Sequence, residues 1–106
     1  MKNEPVVVMT TTNTEREAKL LAGCIVKDKL AACVQIIPKI NSIYEWQGEI
    51  HSEQEYLLLI KTFEKNISKL NKFLEKEHSY EVPEFTVLPM IYASDDYADW
   101  MEKFIK

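Results

Sequence analysis

The chain predicts an α+β domain of the ferredoxin-like, split β-α-β type: an antiparallel sheet with a long hairpin between its second and third strands, and an extra C-terminal helix. Three observations point there. The apolar periodicity switches between strand and helix in the order β-α-β-β-α-β-α. The stretch from Ile40 to Ile60 folds back on Gln47-Gly48, which makes a long hairpin. The run Tyr56-Leu57-Leu58-Leu59-Ile60 is unbroken apolar sequence, where an antiparallel strand with one wet face normally alternates. At 106 residues the chain is one domain, residues 1–106, with neither an internal repeat nor a linker.

Val6 to Met9 reads as a buried strand from its β-branched run, with Thr10 to Asn13 as polar punctuation after it. Thr14-Glu15-Arg16-Glu17 fits a capping box. Ala18, Leu21, Ala22 and Ile25 then recur at helical spacing, and Lys27 and Lys29 complement the C-terminal dipole. Ala31 to Ile37 is the second strand. Pro38 marks a bulge or an edge position, and Ile40 to Trp46 continues the strand. After the Gln47-Gly48 turn the third strand returns through Tyr56 to Thr62. A second helix spans about Glu64 to His78 on the stripe Ile67, Leu70, Phe73 and Leu74. Phe85 to Ile91 forms the fourth strand, broken by Pro89 at an edge or bulge. Ser94 or Asp95 caps a last helix that puts Tyr97, Trp100, Met101 and Phe104 on one face.

Composition narrows the function classes. With 46% hydrophobic and 28% charged residues the chain is an ordinary globular protein without a disordered or membrane-spanning signature. A net charge of −4 argues against nucleic acid, because phosphate binding needs a concentrated positive face. Lys65, Lys69, Lys72 and Lys76 alternate with acids and form one solvated helix face. The N-terminal residues pass directly into a strand too short for a signal-peptide core, so the expected compartment is the cytoplasm, with no membrane partner. Cys24 and Cys33 lack a CxxC or disulfide-framework spacing and are expected as free thiols. Both helices of a split β-α-β unit cover the same sheet face. The other face of Tyr56 to Ile60 therefore needs a second subunit, which predicts a homo-oligomer.

The segment His78-Ser-Tyr-Glu-Val-Pro-Glu84 carries more functional groups than a helix-to-strand connection requires. Pro83 fixes its own φ and pushes Val82 toward extended geometry, so that Tyr80, Glu81 and Glu84 are presented from a stiff chain. The competing reading is that His78 caps the preceding helix and the glutamates are solvated.

Four stretches, Lys29-Leu-Ala-Ala-Cys-Val34, Ser42-Ile-Tyr-Glu-Trp46 with Gln47-Gly48, Glu55-Tyr-Leu-Leu-Leu-Ile-Lys-Thr62 and His78 to Glu84, occur in this order. Together they resemble the CutA divalent-cation tolerance family across almost the whole chain, and Tyr97 with Trp100 resembles that family's C-terminal end. The resemblance implies a cytoplasmic homotrimer of ferredoxin-like subunits, related in architecture to the PII signalling proteins, and a link to copper and other divalent metals. Ser79, where related chains often carry proline, and Gln47, where an acid is common, depart from the family pattern.

For copper, sulfur, nitrogen and oxygen donors are available at Cys33, His78, Glu81 and Glu84, with Cys24 and His51 behind them. No two sit at ligand spacing. Cys33 and Cys24 read first as small core hydrophobes and only second as ligands, and His51 reads as an exposed residue after the turn. Met9, Met90 and Met101 read as gap fillers of the core. A second reading is a small-ligand or signalling module with an intersubunit cleft lined by Tyr44, Trp46, Lys61, Tyr80, Glu81, Pro83, Glu84 and Trp100. Lys61 reads alternatively as a salt-bridge partner of Glu55 or of a neighbouring chain. Neither a nucleophile–base–orienter set nor a phosphate loop nor an HExxH motif is present, so an enzyme is not expected.

Overall fold

The computed structural model describes residues 3–105. The elements run β1 (Pro5–Thr12), α1 (Glu15–Lys27), β2 (Cys33–Trp46), β3 (Glu49–Phe63), a 3₁₀ turn (Glu64–Asn66), α2 (Ile67–Glu77), β4 (Thr86–Pro89) and α3 (Asp95–Lys103). The sheet order is β2-β3-β1-β4 with every pair antiparallel. This is the split β-α-β arrangement: β1 lies between β3 and β4, and α1 and α2 cross over one face.

Local chemistry sets most element ends, and it moves several from where the sequence puts them. β1 continues beyond Met9 through Thr12, because Thr10, Thr11 and Thr12 pair with Leu58, Leu57 and Tyr56. Polar side chains did not end the strand, since the partner strand supplied a full ladder. Thr14 caps α1 by accepting from the Glu17 N–H at 3.1 Å, which is one half of the expected box. The Glu17 carboxylate is used elsewhere, as described below. The bulge falls between Ile37 and Ile40, with Lys39 at φ 57°. It restores the facing so that Ile37 and Ile40 share a side of the sheet. The second helix opens as a 3₁₀ turn and ends one residue before His78. β4 stops at Pro89, which has no N–H to extend the ladder. Ser94 caps α3 through the Tyr97 N–H at 3.3 Å.

The core lies between the helices and one sheet face. Val8, Ile25, Leu58, Ile60, Leu70 and Leu74 are fully buried there, each contributing roughly 1.5–3 kcal/mol relative to exposure. The opposite face is only partly covered. α3 closes one end of it through Ala32, Phe63 and Met101, while Leu57 and Leu59 remain half-buried. The β2–β3 hairpin also outruns the sheet. β1 ends opposite Tyr56, so residues 40–55 pair only with each other, and the molecule measures 46 × 25 × 25 Å. Its radius of gyration of 14.5 Å exceeds the roughly 13 Å usual for this length.

Candidate functional site

The segment after α2 is pinned by three other elements. His78 leaves helical geometry at φ −72°, ψ 143° while its own N–H still bonds the Leu74 carbonyl. Its buried imidazole places Nε2 2.7 Å from the Thr11 carbonyl oxygen at the end of β1. A carbonyl only accepts, so the hydrogen-bond pattern assigns the proton to Nε2. Nδ1 accepts from the Tyr80 N–H at 3.0 Å. From the first turn of α1, Glu17 accepts from the Ser79 N–H and from its hydroxyl, both at 2.8 Å. Serine at position 79 therefore keeps an N–H and an O–H that tie the loop to α1, neither of which proline offers.

Tyr80 is the third tie. Its phenol donates to Glu55 at 2.7 Å, and its ring packs 4.7 Å from His78. Its pKa is pushed up from the ordinary value, first by burial, then by the hydrogen bond to Glu55 and by the charges of Glu55 and Glu17 and the Tyr44 phenol. Tyr44 stacks on its cross-strand partner His51 at 5.5 Å. Between this arm and the loop lies a cavity of about 440 Å³ lined by Asn13, Tyr44, Glu53, Glu55, Tyr80 and Val82. A neighbouring hollow of about 390 Å³ is lined by Tyr44, Trp46, Tyr80, Glu81 and Val82.

The residues expected to form one cleft thus lie in two places within a chain. Tyr44, Trp46, Tyr80 and Glu81 converge, with Pro83 close in sequence to the lining residue Val82. Lys61 is six positions along β3 from Glu55, about 20 Å, too far for a salt bridge, and its ammonium stands 5.3 Å over the Tyr97 ring instead. Trp100 belongs to that end, its ring tilted against those of Tyr97 and Phe104.

The proposed metal donors are also dispersed. Among the described residues, no three His, Cys, Asp or Glu side chains are grouped to hold an ion. Cys33 is half-buried and opposite Lys61. Both His78 ring nitrogens are engaged, and exposed Glu84 accepts from the Thr86 hydroxyl. Cys24 is exposed rather than in the core, because Ala18, Leu21 and Ile25 define the buried line of α1 and position 24 flanks it. His51 is half-buried under Tyr44 rather than simply exposed.

Asn13, Glu17 and Glu53 escaped the sequence reading. For Glu17 the capping-box spacing gave a sufficient local role that concealed the distant one. The alternation of Glu53 and Glu55 with Gln54 was the available signal for a shared strand face.

Residues 6–104 match the family profile described as CutA1 divalent ion tolerance protein. The chain is 41% identical over 97 residues to "Divalent-cation tolerance protein CutA" of Thermus thermophilus, covering 92% of this chain and 94% of that one. It is 44% identical over 102 residues to "Protein CutA, chloroplastic" of Arabidopsis thaliana, covering 95% of this chain and 56% of that protein's length. Among solved structures it is similar to CutA1 from Oryza sativa, with a TM-score of 0.95 at 37% identity over 97% of this chain and 94% of that one. CutA from Synechococcus elongatus superposes with a TM-score of 0.94 at 38% identity over 99% and 93%.

Proposed function

This chain belongs to the CutA1 divalent ion tolerance family, and on that premise we propose that it acts in tolerance of, or response to, divalent metal ions, copper among them. In this reading it is a cytoplasmic homotrimer of PII-like architecture that binds metal weakly and catalyses no reaction. The observation that carries it is the half-covered sheet face at Leu57 and Leu59, continued by the apolar arm. Copies packed on that face would bury surface that one chain leaves wet. With donors dispersed among the described residues of a chain, a metal site would draw donors from more than one copy, with Cys33 as its sulfur donor beside nitrogen and oxygen ligands suited to copper(II).

The test is copper affinity by competition with a chelator of known strength, for the native chain and for Cys33→Ser and His78→Ala. Weaker binding in Cys33→Ser supports the reading. His78→Ala is expected to leave affinity unchanged, because neither ring nitrogen is free. Unchanged affinity in Cys33→Ser would remove that thiol from the ligand set.

The paired hollows around Tyr44 and Tyr80 favour a second reading, a small-ligand or signalling module. A thermal-shift screen of organic ligands beside metals separates the two, and stabilisation by organic ligands alone would put the second reading first.

A further inference from the structure

We propose that the groove between α1 and α2 is a docking surface for an acidic amphipathic helix of a partner protein. The inference goes beyond both readings above. It concerns the helix layer, opposite the sheet face that copies of the chain cover in the trimer.

The two helices return across the sheet from the antiparallel strands β1 and β3, so they run in opposite directions. Between them lies a hollow of about 310 Å³ lined by Glu17, Leu20, Leu21, Cys24, Phe73 and Glu77. Most of that lining is apolar. Leu20 is 60% exposed, Cys24 is exposed and Phe73 is half-buried, because these three flank the buried lines of their helices. Two helices side by side leave a channel that suits a third helix with an apolar stripe.

The rims of the channel select the charge of that helix. On α1, Arg16 stands four residues before Leu20 and Lys27 three after Cys24; on α2, Lys69 stands four before Phe73 and Lys76 three after it. Those spacings put each cation beside the apolar residue it is counted from. All four are exposed. Among the described residues none of them is in an ion pair, the pairs being Lys19–Glu15 and His78–Glu17. Nearby acids are engaged elsewhere: Glu17 accepts twice from Ser79, and Glu75 accepts from Asn71.

Glu17 and Glu77 sit together where α1 begins and α2 ends. That end suits the positive N-terminus of the docked helix, while its carboxylates meet the cationic rims. An anionic membrane is the poorer match. A plane would meet the wider surface of a chain with net charge −4 and could not enter the channel.

The experiment is an anisotropy titration of the full chain in its native assembly against a fluorescein-labelled synthetic peptide. The peptide carries leucines at i, i+3, i+4 and i+7 and glutamates at the flanking positions. Saturable binding that weakens with added salt and raises the peptide's helical circular dichroism is expected. Leu20→Ser and Lys69→Glu are each expected to weaken it about tenfold, the scale of one apolar anchor or one reversed charge. Both positions are exposed, so neither change empties the core. Lys19→Gln, on the far side of α1 from the groove, is expected to leave affinity unchanged.

Absence of saturable binding, or binding that Leu20→Ser and Lys69→Glu leave intact, would overturn the proposal. So would equal binding by a peptide of the same composition with its leucines scattered around the helix, since that pattern needs charge alone. Tighter binding by a peptide with lysine in place of glutamate would give the partner the opposite charge and sink it as well. Phosphatidylserine vesicles that bind more tightly than the peptide and displace it would reassign the face to a membrane.

Discussion

The base and the arm of one hairpin live in different environments. At the base, Leu58 and Ile60 are fully buried, paired on one side to Thr10 and Val8 of β1 and on the other to Ile36 and Val34 of β2. Along the arm, Ile43 and Ile50 are each 71% exposed and Trp46 is 61% exposed, and the facing strand of the hairpin is the one strand paired with them. An isolated two-stranded ribbon is marginal in water, and exposed apolar residues on both of its faces make it more so. Within one subunit the arm costs stability that the base supplies. The difference shows where a neighbour is needed.

The largest contrast is expected from matched truncations. Leu58→Ala leaves a core cavity and is expected to lower unfolding free energy by about 2–5 kcal/mol, read by chemical denaturation. Ile50→Ser on a solvated arm is expected to stay within about 0.5 kcal/mol when subunits are dissociated by dilution, and to cost more in the assembly. Equal costs for both substitutions at every protein concentration would erase the distinction between base and arm.

The loop that braces the arm gives the next effect. His78→Phe keeps the ring but leaves the Thr11 carbonyl and the Tyr80 N–H without their partner, for an expected loss of about 1–3 kcal/mol. Amide exchange is expected to rise at Tyr80 and at Glu53–Glu55 before it rises at Leu58. Uniform loss across both regions would mean that His78 supports the core and not the arm.

Tyr80→Phe is expected to cost least, about 1.5 kcal/mol, the lower end for a hydrogen bond to a charged acceptor because the contact is only part-buried, and it carries a pH signature. Tyr80 has its folded pKa raised above its unfolded value, so below the ordinary tyrosine value, about 10, its contribution is fully present. As pH rises through that value the unfolded chain loses the proton first and stability falls. The native chain is therefore expected to lose more stability than Tyr80→Phe between neutral pH and pH above 10. Parallel pH curves would show that the phenol–Glu55 contact contributes nothing measurable.

The fold was legible because periodicity and caps agree with it. The Leu58 and Ile60 parity, the Pro38 bulge, the Gln47-Gly48 turn and the Ser94 cap are local signals, and each has a local physical cause. The fate of Thr10 to Thr12 was not local, because a polar run stays in a strand only when its neighbour supplies a ladder. The site was legible in part. Within one chain Tyr44, Trp46 and Tyr80 line one hollow and Lys61 stands apart from them along β3, while Glu17 reaches the loop through a contact between residues 62 positions apart. Side chains used twice, once near and once far in sequence, show only their near use to a sequence reader.

The central claim is that copies of this chain cover the open sheet face and the arm. Its most direct test is mass by light scattering at micromolar concentration. The account predicts a species of three times the 12.4 kDa chain mass; a clean 12.4 kDa species would contradict it.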